Sequence, residues 1–268
     1  MFHSYLNPTL KVLLPVFALC GSFVAHATLI DLTVADATET LTNAIVSQSA
    51  TQPAGSGVFE SFVRIKHSPS KVVDGYNTTA AKGGSGSSPV LNTMSDDNFS
   101  HDITLGDVAV VDIAGTDYRE FLLDINESNG KKNTLLGSYL SLDEIQIFMG
   151  GTANSLVDTF DGDTVGGAGL LDHDGTLVWD LDALDDNWIA LNYDLEAGSG
   201  ESDMALYVDN SLFDSYSATD NLVLYSMFGA QGRGQYDLLS DQCDPGTTVG
   251  KKDRLVECNF ANSDGYEE

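Results

Sequence analysis

Aspartates set two residues apart in turn-forming sequence are the feature of this chain with the clearest chemical meaning. They occur as Asp161-Gly162-Asp163, Asp172-His173-Asp174-Gly175 and Asp180-Leu181-Asp182, with Asp185-Asp186-Asn187 close behind. Short carboxylates at that spacing let a loop wrap hard oxygen donors round Ca2+. Asp161, Asp163, Asp180, Asp182, Asp186 and Asp203 are therefore the candidate ligands, and Ca2+ is the implied cofactor. In an extended Asp180-Leu181-Asp182 both carboxylates share one face, beside the loop that carries Asp185 and Asp186. No EF-hand is completed, because counting from Asp161 places Val165 at the fifth position and Asp172 rather than Glu at the twelfth. Irregular loop sites are the expectation.

Catalytic templates fare worse. There is no phosphate-binding P-loop, no Gly-x-Ser-x-Gly elbow and no His-Glu-x-x-His; Gly83-Gly84-Ser85-Gly86-Ser87 falls short of the elbow and has no strand before it. Outside the first 27 residues the histidines are His67, His101 and His173, and nothing joins one of them to a serine and an aspartate as a triad. Carboxylate pairs suited to glycoside hydrolysis are too numerous to be diagnostic. A non-enzymatic protein is expected. Trp179, Trp188, Tyr193, Tyr207, Tyr216 and Tyr225 offer either a face for stacking on sugar rings or an ordinary core. Trp188 and Tyr193 fall on opposite faces of one predicted strand, so one of them should point away from the main core. Carbohydrate binding is the alternative function.

Charge narrows the partners. The 268 residues carry 12 Lys and Arg against 40 acids, a formal net charge of −28. Such a surface repels phosphate backbones and excludes nucleic acid as a partner. Thirty of the acids are Asp, the shorter carboxylate, which disfavours helices and suits turns. Residues 133–232 hold no Lys or Arg at all, yet contain eighteen acids. Packed into one body these repel one another, and counterions, bound divalent cations or a cationic partner must relieve the strain. The competing reading is adaptation to a saline medium, where hydrated carboxylates need no specific ion.

The elements that would position these groups are strands. Strand signals occupy 28–34, 57–65, 103–113, 118–125, 140–149, 176–181, 188–195, 204–208 and 222–228, separated by turn clusters; apolar and polar residues alternate in 28–34, and period two is clear in Phe121, Leu123 and Ile125 and in Ile145, Ile147 and Met149, with no helical periodicity of comparable strength. That pattern predicts an all-β chain, an antiparallel β-sandwich of jelly-roll or lectin-like type, forming a single domain over residues 28–268. Residues 68–100, rich in Gly and Ser, are expected to form a long exposed loop.

Residues 1–27 have the character of a secretory signal peptide. They contain no acid, Lys11 supplies the positive start, residues 12–24 are almost continuously apolar, and Ala25-His26-Ala27 offers a cleavage site. Lipidation at Cys20 is the alternative, weakened by Leu19 where a small side chain belongs. No transmembrane anchor is expected within the sequence. In an oxidising compartment Cys243 and Cys258 pair most simply as a disulfide closing residues 243–258, with two free thiols as the other outcome.

Several of these stretches resemble a known family. Residues 57–65, 118–126, 140–148 and 186–193, followed by 198–204, 224–229 and 262–268, are similar to the ectodomain of certain PEP-CTERM proteins, which the exosortase system sorts in exopolysaccharide-producing Gram-negative bacteria. The resemblance implies export and a place at the outer cell surface or in a biofilm matrix, without an established catalytic activity. It departs at the end: no Pro-Glu-Pro motif, apolar helix or basic cluster precedes Glu268. The expected function is thus a secreted or cell-surface structural protein, stabilised or assembled by calcium, with extracellular polysaccharide or further copies of the chain as partners. For the cysteines, digestion without reduction should recover Cys243 and Cys258 in one cross-linked peptide; their recovery as separate free thiols would refute the pair.

Overall fold

The computed structural model describes residues 28–48, 61–65, 72–79, 91–94, 98–125, 139–157, 160–161, 169–195, 202–229 and 266–267. Its strands are β1 (Thr28–Asp31), β2 (Thr38–Leu41), β3 (Ala44–Ser47), β4 (Arg64–Ile65), β5 (Val73–Tyr76), β6 (Ile103–Thr104), β7 (Val110–Ile113) and β8 (Thr116–Ile125). They continue as β9 (Tyr139–Met149), β10 (Phe160–Asp161), β11 (Leu170–Leu171), β12 (Thr176–Asp180), β13 (Asn187–Asn192), β14 (Met204–Asp209), β15 (Asn221–Phe228) and β16 (Tyr266–Glu267). The helical pieces among the described residues are short 3-10 turns, Leu105–Asp107 and Asn210–Phe213 among them. No described helix is long and apolar enough to cross a membrane.

Two sheets build the body. The first runs β1-β13-β9-β15-β5, with β12 also paired to β9 and β6 to β15; the second runs β2-β3-β14-β8-β16-β4, with β7 on β8. Pairing is antiparallel throughout except for β1, which lies parallel to β13. The sheets face each other across one core, to which Leu142, Ile147 and Leu224 contribute from the first sheet and Val46, Phe121 and Leu206 from the second. Period-two patterning decides which side chains enter: Phe121, Leu123 and Ile125 are buried from β8, and Ile145, Ile147 and Met149 from β9. The all-β antiparallel sandwich is thus as the sequence predicts.

Three departures are instructive. The window 103–113 is not one strand: Asp107 accepts from the Thr104 amide and from its hydroxyl, both at 2.8 Å, and this cap folds Leu105–Asp107 into a turn between β6 and β7. The hairpin of β2 and β3, turning at Asn43 with φ of 56°, is not anticipated by any predicted strand. Residues 68–100 are not a long exposed loop, because β5 lies inside that span, with Val73, Tyr76, Asn77 and Thr78 buried. Polar side chains supplement its antiparallel ladder with β15, which hydrophobic patterning does not register. Asn77 Nδ2 donates to the Leu222 carbonyl at 2.9 Å, and the Leu224 amide donates to Asn77 Oδ1 at 2.7 Å. Gly75 is needed for close approach, since a Cβ there would stand 2.5 Å from Thr93 Oγ1.

Core packing should dominate stability. Ile147→Ala is expected to cost about 2–5 kcal/mol in urea unfolding. Val110→Ala, at a position 47% exposed, should stay within about 0.5 kcal/mol.

Candidate functional site

The site begins with a break in the rhythm of β9. Leu140, Leu142, Ile145, Ile147 and Met149 all join the main core, yet Leu142 and Ile145 are three residues apart rather than two. A bulge absorbs the extra residue: Met227 of β15 pairs with Glu144 and Phe228 with Leu142, which leaves Asp143 as the insertion. Glu144 thereby takes the face opposite Ile145, the outer face of the first sheet, and is only 2% exposed. Asp143, at 1%, is held beside it through a 3.1 Å hydrogen bond from Ser141 Oγ to Oδ2.

Asp180 reaches the same face from the end of β12, where it pairs with Gln146. The turn that follows is folded by its own aspartates. The Asp182 amide donates to Asp180 Oδ1 at 2.7 Å, and the Asn187 amide donates to Asp182 Oδ1 at 2.8 Å. Asn187 Nδ2 closes the loop on the carbonyls of Leu181 (2.7 Å) and Asp185 (3.0 Å). The Leu181 amide ties it to the Ile145 carbonyl at 3.0 Å. Glu144 ends up within hydrogen-bonding reach of both Asp180 and Asp182.

Protonation follows from this crowding. Burial first, and then the charges of Asp182 and Asp180, push the Glu144 carboxyl up from 4.5 to about 10. Burial, Asp180 and Asp186 push Asp182 up from 3.8 to about 7, and burial also raises Asp180 and Asp186. Every charge acting on Glu144 or Asp182 is negative. Near neutral pH the cluster keeps protons, Glu144 first, and those protons join carboxyl groups that would otherwise repel. Even so, Glu144 Oε1 and Asp186 Oδ1 are buried and meet no hydrogen-bond partner. The field extends to β5 and β15: Tyr225 donates to Asp74 Oδ2 at 3.2 Å, burial raises Asp74, and Tyr225 is held protonated by burial and by the charges of Asp74, Glu144 and Asp143.

Of the six candidate ligands, Asp180, Asp182 and Asp186 come together. Asp203 does not join them. It stands beside β14 in the second sheet, where its Oδ2 accepts from the Ile125 amide at 2.7 Å and so fastens β14 to β8. Asp161 is placed only as a backbone position, opposite Leu170 in the β10–β11 ribbon. Asp163, Cys243, Cys258 and residues 1–27 lie outside the described residues. Glu144, the centre of the cluster, is absent from the candidates; the signal for it was Asp143-Glu144 interrupting an apolar strand at the point where its alternation slips. Among the described residues no three His, Cys, Asp or Glu side chains stand as a ready-made metal shell.

The aromatics are interior groups. Trp179, Trp188, Tyr193, Tyr207 and Tyr225 are buried and Tyr216 is half-buried, so these six form no exposed stacking row. Tyr193 joins the main core cluster and Trp188 does not, in keeping with their opposite faces. His173 serves a turn: its Nδ1 accepts from the Gly175 amide at 2.9 Å, its ring lies against Phe148, and burial lowers its affinity for a proton. No family model, no curated protein and no solved structure matches the chain.

A raised carboxyl makes the native state bind more protons than the unfolded chain, so stability is full below the unfolded value and is lost as pH rises through the folded one. Without divalent ions, stability should therefore fall from about pH 4 towards pH 10, with Asp182 contributing up to about 7 and Glu144 beyond it. Each proton accounts for at most about 1.4 kcal/mol per pH unit. Glu144→Gln, neutral at every pH, should equal the parent near pH 4 and exceed it at pH 8 in urea melts; parallel stability curves for the two proteins would contradict the assignment.

Proposed function

We propose that this chain is an exported, non-enzymatic structural protein of the outer cell surface or extracellular matrix, whose acidic sheet face is held together by cations supplied from outside, Ca2+ first among them. The observation that carries the reading is Glu144: a carboxyl 2% exposed, with one oxygen lacking a partner, facing Asp180 and Asp182 in a stretch of 100 residues without Lys or Arg. Such a group is tolerated only if it holds a proton or faces a positive charge. In the ion-free arrangement protons fill that role. A divalent cation takes their place by drawing the carboxylates of Glu144, Asp180, Asp182 and Asp186 round itself, and Ca2+ suits oxygen donors from an adaptable loop.

Export is supported by the leader-like residues 1–27 and is compatible with the expected pairing of Cys243 with Cys258, and the matrix setting is supported by the resemblance to PEP-CTERM ectodomains. Extracellular polysaccharide and further copies of the chain are the partners this setting supplies. Short edge strands such as β2, exposed along most of its length, would pair between copies once divalent ions screen their like charges.

Calorimetric melting in Ca2+ and in chelator, at matched ionic strength, tests the cation. The melting temperature should rise with Ca2+, by the equivalent of about 2.7 kcal/mol at a hundred times the dissociation constant. The same rise with NaCl alone would assign the effect to screening in a saline medium, and an unchanged melting temperature would remove the cation from the account.

A further inference from the structure

We propose that cleavage between Ala27 and Thr28 creates a component of the carboxylate site: the new α-ammonium group of Thr28 docks at Asp186 and acts as the cluster's internal counter-charge. The inference rests on the exported reading above and adds to it a role for the processed N-terminus.

The geometry comes from the one parallel pairing in the sheets. β1 runs alongside β13 with Thr28 opposite Asn187, so the first residue of β1 sits where the acidic turn enters β13. An antiparallel β1 would carry Thr28 to the far end of that strand, away from the acids. Here the Thr28 nitrogen donates to the Asp186 carbonyl. Ile30 and Leu32, both buried, fix the strand behind it. The same Asp186 has a buried Oδ1 without a hydrogen-bond partner.

In the precursor the Thr28 nitrogen is an amide, uncharged, with its single N–H committed to that carbonyl. Hydrolysis by a signal peptidase breaks the bond between the Ala27 carbonyl carbon and the Thr28 nitrogen. Water supplies the hydroxyl that becomes the Ala27 carboxylate, and the nitrogen gains protons to become an ammonium. It then has two further N–H donors and a positive charge. The turn whose Asp186 it meets also carries Asp182 and Asp185, and Asp182 in turn interacts with Asp180 of β12 and Glu144 of β9. β13, its strand partner, carries no ionisable side chain, and Asp31 at the other end of β1 is occupied by Thr33, whose amide donates to Oδ1 at 2.9 Å. No Lys, Arg or His lies in β1, in β13 or in the turn that leads into it. This corner of the sheet therefore closes fully only in the processed protein, and one carboxylate of the cluster is matched without an external ion.

The test uses protein released from a fusion so that it begins at Thr28, the same protein retaining Ala27, and both with Asp186→Asn, all in chelator. NMR titration of the Thr28-initiated protein should place its α-amino group above the ordinary range of about 7.7–8.0, and Asp186→Asn should return it towards that range. A raised amino group stabilises below its unfolded value and ceases to do so as pH rises through the folded one. The Thr28-initiated protein should accordingly melt higher than the Ala27-retaining one at pH 6, with the gap closing above the amine's titration and in Asp186→Asn. An ordinary α-amino titration, or a melting gap indifferent to pH and to Asp186→Asn, overturns the docking and leaves the exported reading intact. N-terminal sequencing of protein collected from the medium should begin at Thr28. A different first residue overturns the proposal while export stands, and failure to find the protein outside the cell overturns both.

Discussion

Glu144 and Asp182 are crowded together on the outer face of the first sheet with acids the only charges acting on them among the described residues, and much of the surrounding architecture can be understood as the means by which this is tolerated. Removing a carboxylate from water costs several kcal/mol unless it is protonated or paired. Glu144 and Asp182 meet that cost by binding protons far more tightly than in water, and the turn at residues 181–186 meets it by aiming backbone amides at Asp180 and Asp182. The apolar half of the same face is treated quite differently. Tyr76, Phe148, Leu171, Val223, Tyr225 and Met227 form a second cluster there, and Gln146 clamps the covering segment by donating to the Gly169 carbonyl at 2.7 Å and accepting from the Leu171 amide at 2.9 Å. One sheet thus has a dry core on one side and, on the other, an apolar patch bordered by acids.

Much of the fold was legible in the sequence because strands with one buried side write their geometry as alternation. β8, β12, β13, β14 and β15 all overlap windows rich in Val, Ile, Leu and aromatic residues, and in β8 Phe121, Leu123 and Ile125 recur at every second position. What alternation could not show is pairing carried by polar groups. β5 contains a glycine and an aspartate, and beside its ladder with β15 it is held by the side chains of Asn92 and Thr93 and by Asn77 just past its end, so it reads as loop. The split of residues 103–113 is similar: a side-chain cap at Asp107 overrides a pattern that is continuous on paper.

The candidate site was half legible. Asp180, Asp182 and Asp186 were accessible because turn-forming sequence keeps them within a few residues of one another, and a local motif needs no tertiary information. Glu144 comes from a strand more than thirty residues earlier, and only the pairing of β9 with β12 brings it to them. Asp203 shows the opposite error: it has the right residue type in the right kind of segment, but the chain has already crossed to the second sheet, where a backbone amide occupies it.

The parallel strand at the start of the described chain bears on when the protein can fold. Ile30 and Leu32 belong to the core, but the strand they enter beside is made from residues some 160 positions later in the sequence. A segment made early in synthesis must therefore wait, unpaired, until most of the chain has followed it. Contacts between distant parts of a chain are slow to form, because the loop between them must be ordered before they give anything back. The topology keeps the chain from completing its first sheet until most of its length is available, and makes closure of that sheet a late event in folding.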